Sequence, residues 1–192
     1  MGDRPLVLVL LGAPGAGKGT QGARLAARAQ ISHVSTGDLF REAVQARSPA
    51  GERAESYLRS GQLVPDQVVL QLLEEYFGDI RSLDICLDGF PRTYQQAITL
   101  DVMLAQLDLS IAAVLHIDVP DNIALERLVG RGRSDDTLET AHYRLELYHA
   151  ATEPLIRHYR EAGVLRDIDG AGDADAVESR VWHVVSTMLK FK

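Results

Sequence analysis

The chain has 192 residues, 46% of them hydrophobic, enough to bury one substantial core with at most a small appended lobe. Its net charge of -7 argues against nucleic acid or an anionic membrane as a partner. A single cysteine, Cys86, excludes an intrachain disulfide framework and makes a reducing, cytoplasmic setting the default.

Val7–Leu11 is apolar at every position and reads as a strand buried on both faces. Arg4 followed by this run superficially resembles a short signal peptide. Cleavage there would destroy the glycine-rich stretch that follows, the run is too short to span a membrane, and residues 1–6 lack the Ser or Thr of a myristoylation signal. The first helix follows Lys18 and ends near Ala29. His33-Val34-Ser35 reads as a second strand, and Thr36-Gly37-Asp38 as the cap of a helix to about Ala46. Ser48-Pro49 starts another helix that ends near Ser60-Gly61. Val64-Pro65-Asp66 opens a third, with Val68, Val69, Leu72, Leu73 and Tyr76 at helical spacing. Ile85–Asp88 is a buried strand, Thr93–Leu107 a helix and Ala112–Ile117 a strand, and Pro120-Asp121 begins a helix ending at Gly130. Leu138 to about Glu161 reads as one long helix bent at Pro154. Val164–Ile168 is a fifth strand, and Ala174–Lys190 a closing helix. Strands alternating with helices predict an α/β fold, a five-stranded parallel sheet with helices on both faces. Residues 36–77, where helices follow one another without a strand, read as an inserted lobe.

Chemistry concentrates in four stretches. Gly12-Ala13-Pro14-Gly15-Ala16-Gly17-Lys18-Gly19-Thr20 fits the phosphate-binding pattern G-x-x-x-x-G-K-[ST], between an apolar strand and a helix. That order aims backbone N–H groups and a helix N-terminus at an anion. Of 20 basic residues only three are Lys, and two of these, Lys190 and Lys192, sit at the chain end, so Lys18 is the one Lys in the body of the chain. Asp88-Gly89-Phe90-Pro91-Arg92 places an acid at the carboxyl end of a strand, where α/β sheets bind ligands and where Mg²⁺ with its waters is organised beside a phosphate loop. Arg127, Arg131 and Arg133, with Arg144 on the next helix, form a cationic cluster in an acidic protein. Arg127 and Arg131 are four apart, a spacing that repels by roughly 0.2–0.5 kcal/mol on one helix face. Ser35-Thr36-Gly37-Asp38-Leu39-Phe40-Arg41 brings a hydroxyl and a base within two turns. The six histidines show no metal-ligand spacing, and no nucleophile is paired with a base.

Together these motifs resemble the adenylate kinase family, a P-loop kinase fold. The match rests on GAPGAGKGTQ (12–21), HVSTGDLFR (33–41), GQLVPD (61–66), DGFPRTYQQA (88–97), ERLVGRGRSDD (126–136) and the following helix as far as Arg144. The resemblance implies one domain over residues 1–192, with a core of 1–34, 65–129 and 137–192, a nucleoside-monophosphate lobe at 35–64 and a lid at 130–136. It implies phosphoryl transfer from MgATP to AMP giving two ADP. Gly15, Ala16, Gly17, Lys18, Gly19 and Thr20 would hold the ATP phosphates, Arg131 would reach ATP from the lid, Arg127 would stack on its adenine, and Gly172 would offer that base a backbone contact. Thr36, Arg41, Gln62, Leu63, Val64, Gly89, Phe90, Pro91, Arg92 and Gln96 resemble the AMP site. Arg41 and Arg92 would grip the α-phosphate there, and Gln96 would read the adenine edge. Arg133 and Arg144 would clamp the AMP side and the transferred phosphoryl, with Lys18, Arg92 and Asp88 completing the catalytic set. Mg²⁺ would arrive with ATP and be held through water near Asp88 and Thr20, with no direct protein metal site. Only Gly132 separates Arg131 from Arg133, so the lid is minimal and a zinc-binding lid insert is absent. A monomer in the cytoplasm, with nucleotides as its partners, follows the same resemblance. A UMP/CMP or other monophosphate kinase is the nearest alternative, although Thr36 in S-T-G-D favours AMP over the S-A-G-D of UMP/CMP kinases. A P-loop switch protein is disfavoured, since no Lys follows an Asn and Gly follows Asp88 directly.

Overall fold

The computed structural model describes residues 5–76, 84–133 and 136–189. Ser134, Asp135 and Lys190, and the side chain of Tyr76, lie outside that set. Five strands, β1 (Val7–Leu11), β2 (Ser32–Ser35), β3 (Ile85–Asp88), β4 (Ile111–Asp118) and β5 (Leu165–Asp169), form one all-parallel sheet in the order β2-β3-β1-β4-β5. Every residue of β1 is buried. Because side chains alternate across a strand, Val7, Val9 and Leu11 enter one apolar cluster and Leu8 and Leu10 the other. The continuous apolar run is therefore what a central parallel strand requires.

The first cluster is completed by α4 (Asp66–Tyr76), α5 (Tyr94–Gln106) and α8 (Pro154–Glu161), through Leu73, Leu100 and Leu155. The second is completed by α1 (Lys18–Ala29) and α9 (Ala174–Leu189), through Leu25 and Val181, and by Ala124 of α6 (Asp121–Gly130). Two helices, α2 (Thr36–Gln45) and α3 (Pro49–Ser60), follow β2 with no strand between them and pack closely where Gly51 meets Ala43. A Cβ at Gly51 would collide with that backbone.

Side-chain caps set several boundaries. Ser48 accepts from the Gly51 N–H and Thr93 from the Gln96 N–H, each at 3.2 Å, and Thr137 does the same for the Thr140 N–H. Each such cap is worth about 1 kcal/mol. The cap of α2 is Ser35, which accepts from the Asp38 N–H at 3.3 Å. Thr36 is already helical, so the expected capping triplet shifts by one residue. The predicted long helix from Leu138 is also divided. It runs as α7 (Leu138–Leu147), then a π-helical turn (Tyr148–Thr152), then α8. Pro154 has no N–H and its ring excludes the carbonyl four residues earlier. The chain widens just before it, with the Glu153 N–H donating to the Tyr148 carbonyl at 2.8 Å.

β1 lies between β3 and β4, so the chain's connections diverge on its two sides. Ligands of open α/β sheets bind at the carboxyl ends of strands at such a point. Register puts Leu10 and Ser35 beside Asp88, which brings the ends of β1, β2 and β3 to one edge.

Candidate active site

The loop from Gly12 to Gly17 leaves β1 and turns directly into α1. Gly15 has φ of 86°, and a Cβ there would collide with the Ala124 carbonyl of α6, so only glycine fits. Gly17, at φ 96°, stands before the first turn of α1, which has neither a side-chain cap nor an acidic residue. Its N–H groups therefore stay open to an anion. The Lys18 ammonium folds back over the loop and donates to the carbonyls of Gly12 and Ala13 at 2.8 and 2.9 Å. Burial lowers its pKa to about 8, with Arg92 and Arg131 adding to the shift and Asp88 opposing it.

This loop forms one wall of a cavity of about 880 Å³. Lys18, Arg41, Arg92, Arg127, Arg131, Arg133 and Arg144 all line it, against the acids Asp38, Asp88 and Asp173. An excess of cations here, in a chain of net charge -7, marks a pocket for a polyanion. Arg92 follows the cis Phe90–Pro91 bond and is fixed by its own turn, its Nε donating to the Gly89 carbonyl at 2.7 Å. Its side chain is exposed to the cleft, yet protein atoms crowd close around it. That desolvation, with Arg144 and Arg41 nearby, lowers its pKa despite Asp88. Gly89 (φ 80°) must lack a Cβ because the Thr36 hydroxyl and the Arg92 guanidinium crowd it.

The arginines from the other segments are held by carboxylates. Asp136 has a fully buried side chain and accepts from Arg131 Nε at 2.7 Å, Arg131 Nη2 at 2.9 Å and Arg144 Nη1 at 2.5 Å. Arg144 also donates to the Leu58 carbonyl near the end of α3, at 3.2 Å. Asp38 accepts from Arg41 at 2.5 Å, with Arg133 at 3.5 Å on the same oxygen. Burial would raise the Asp38 pKa, but hydrogen bonds from Arg41 and Ser35 and the nearby Arg133 outweigh it and hold the carboxyl below its usual range. Arg133 itself is lowered, first by burial and then by Arg41 and Arg131. Arg127 donates to the carbonyls of Gly170 and Gly172, at 3.1 and 2.7 Å, and so is locked to the β5–α9 loop. Arg127 and Arg131 thus have separate partners, and the expected repulsion between them is relieved.

Among the sequence-predicted residues, Gly15 to Thr20, Gln62, Leu63, Asp88, Gly89, Pro91 and Gly172 also line the cavity. Thr36, Val64, Phe90 and Gln96 lie buried behind its wall. The Thr36 hydroxyl donates to the Asp88 carbonyl at 3.3 Å. Both amide atoms of Gln96 are engaged, Oε1 accepting from the Arg92 N–H at 2.7 Å and Nε2 donating to Asp66 at 2.6 Å. Asp88, 7% exposed, approaches His33 Nε2 at 3.6 Å and faces Gly19. Among the described residues no cluster of three or more His, Cys, Asp or Glu could hold a metal. Asp88 and Thr20 share the cavity wall, a set that fits an ion brought with phosphates and its own waters. Cys86 is buried in β3, and burial pushes its thiol pKa up, as expected of an inert core residue. No helix among the described residues is long and apolar enough to cross a membrane.

Sequence reasoning missed the carboxylates that order the arginines. Asp38 was findable, three residues before Arg41 on one helix. Asp136 pairs with residues five and eight positions away, across a turn that no periodicity predicts.

A parallel sheet with a phosphate loop at its diverging point, facing converging guanidinium groups, defines a P-loop phosphotransferase of nucleotides. The family profile described as adenylate kinase matches residues 10–164. Curated relatives named adenylate kinase agree. One from Synechococcus is 42% identical over 179 residues, covering 93% of this chain and 98% of the relative. One from Deinococcus radiodurans is 40% identical over 185 residues, covering 91% and 94%. One from Micrococcus luteus is 40% identical over 183 residues, covering 93% and 89%. The chain belongs to the adenylate kinase family and is an enzyme that transfers phosphoryl groups between adenine nucleotides.

Proposed function

We propose that the chain catalyses MgATP + AMP ⇌ 2 ADP by direct in-line transfer. An oxygen of the AMP α-phosphate attacks the terminal phosphorus of ATP. A new P–O bond forms as the bond to the β,γ-bridging oxygen breaks, and the bridging oxygen leaves with ADP, with no enzyme-bound intermediate. The single observation that carries this reading is the convergence of cations from separate segments on one cavity. Lys18 comes from the loop, Arg41 from α2, Arg92 from the turn after β3, and Arg131, Arg133 and Arg144 from 131–144.

In this reading the Gly15–Thr20 backbone and Lys18 hold the donor phosphates, while Arg127 and Gly172 hold its base. Arg41 and Arg92 fix the acceptor phosphate, with Gln62, Leu63, Val64, Gly89, Phe90 and Pro91 shaping its site and Thr36 and Gln96 favouring adenine. Arg133 and Arg144 neutralise the transferred group, the main demand of a transfer that spreads negative charge over equatorial oxygens. Mg²⁺ would shield the phosphate charge, and Asp88 and Thr20 would hold its waters. Residues 35–64 and 130–136 close over the substrates, because water left in the gap could accept the phosphoryl. The Asp38 and Asp136 ion pairs keep the guanidiniums ordered until phosphates compete for them. A cytoplasmic monomer is the expected working form.

The test is a panel of AMP, UMP, CMP and GMP as acceptors with MgATP and the purified chain. AMP- and Mg²⁺-dependent formation of ADP is expected to dominate. Faster turnover of UMP or CMP than of AMP would overturn the choice of acceptor.

A further inference from the structure

We infer that Asp66 is a specificity-positioning residue, which locks the side-chain amide of Gln96 in one orientation and thereby selects a 6-aminopurine acceptor over a 6-oxopurine. The inference rests on the reading that Gln96, buried behind the cavity wall, meets the acceptor base when it binds. The two ends of the Gln96 amide meet groups of opposite and fixed character. At one end stands the Arg92 backbone N–H, 2.7 Å from Oε1, which can only donate. At the other stands an Asp66 carboxylate oxygen, 2.6 Å from Nε2, which accepts from it. Rotating the amide by half a turn would set N–H against N–H and oxygen against oxygen. Backbone on one side and a carboxylate on the other therefore define the orientation by chemistry.

The frame around this contact is built. Gln96 is 2% exposed. Its own N–H donates to the Thr93 hydroxyl that caps α5, and that hydroxyl lies 3.5 Å from the second Asp66 oxygen. Asp66 is the first residue of α4, so two helices that start at the same edge of the sheet hold the pair together. With one hydrogen bond spent at each end, the amide keeps one N–H and one oxygen lone pair for a ligand. That pair matches a base presenting an amino group beside a ring-nitrogen acceptor, as adenine does. Guanine and hypoxanthine present a carbonyl beside a ring N–H and would need the amide reversed. Asp66 makes that reversal costly, although it does not line the cavity.

The experiment uses the full chain and compares Asp66→Asn, Asp66→Ser and Gln96→Ala with the parent. Acceptors are AMP, IMP and GMP with MgATP, kcat and KM are separated, and thermal melting is recorded. A side-chain amide in place of the carboxylate can present either a donor or an acceptor, and a serine hydroxyl can do both, so either change removes one of the two constraints on the Gln96 amide and leaves only the Arg92 N–H. Both Asp66 variants are expected to melt within a few degrees of the parent, the scale of one lost hydrogen bond, and to keep kcat for AMP. The ratio of kcat/KM for AMP over IMP should fall about five- to ten-fold, the scale of one hydrogen bond, mainly through KM. Gln96→Ala should lower the same ratio at least as far. A ratio that falls in Gln96→Ala but holds in both Asp66 variants would overturn the lock alone. A ratio unchanged in all three would also remove Gln96 from the acceptor site. Equal losses on every acceptor in the Asp66 variants would reduce Asp66 to a structural residue.

Discussion

The phosphate loop and the arginine cluster both present positive charge to one cavity but are built in opposite ways. The loop is backbone chemistry in one short segment. Glycines at 12, 15 and 17 take positive φ, and the uncapped start of α1 supplies the donors. The cluster is side-chain chemistry from β2–α2, the β3–α5 turn, α6 and α7, and it depends on Asp38 and Asp136 for order. The difference concerns preorganisation. A loop fixed by its own covalent geometry has its dipoles in place before any ligand arrives. Guanidinium groups brought from distant segments need internal carboxylates to stop them from repelling one another, and in the proposed reaction those carboxylates would compete with the phosphates.

The largest effects should fall on the cations that both halves share. Lys18→Ala or Arg92→Ala is expected to lower turnover at least ~100-fold, the scale of losing one preorganised charge donor. Near-normal steady-state rates in either variant would remove that residue from the catalytic set. Next comes a steric test of the loop. Gly15→Val must clash with the Ala124 carbonyl and force a branched residue to positive φ. A cost of about 1–3 kcal/mol in stability is expected, read by chemical denaturation, together with loss of ATP binding in a titration. An unchanged ATP affinity would mean that the loop tolerates rearrangement.

The corresponding test of the cluster is Asp136→Ala, which leaves Arg131 and Arg144 without their shared carboxylate. Because those guanidiniums keep some access to water, the expected destabilisation is about 1–3 kcal/mol. Turnover should fall more than ATP affinity does. Binding of ATP weakened as strongly as by Gly15→Val would erase the distinction between the two halves. The smallest effect is a pH dependence. Lys18 is held at about 8, below its ordinary 10.5, so the ligand-free enzyme loses this charge as pH rises through about 8. The value of kcat/KM for ATP, which reports the free enzyme, should therefore decline above that pH. A bound phosphate favours the ammonium, so kcat should decline only at higher pH. The decline should be absent in Lys18→Met, and a profile in Lys18→Met that matches the parent's would assign it to another group.

The sequence by itself determined whatever is encoded locally. The alternating faces of Val7–Leu11, the glycines of 12–19 and the caps at Ser48 and Thr93 all depend on neighbours a few residues away. The α/β class, the phosphate loop and most element boundaries were therefore legible. Motif order also carried the resemblance to a family. The tertiary structure alone decided which charges meet. Pairing of Asp136 with Arg131 and Arg144, of Asp38 with Arg133, of Arg127 with the Gly170 and Gly172 carbonyls, and of Asp66 with Gln96 joins residues five to 95 positions apart. The π-helical turn before Pro154 was likewise hidden, because proline announces a break without saying how the backbone will absorb it. Periodicity records which face of an element is buried. It does not record what a long, flexible guanidinium finds once distant segments are packed together.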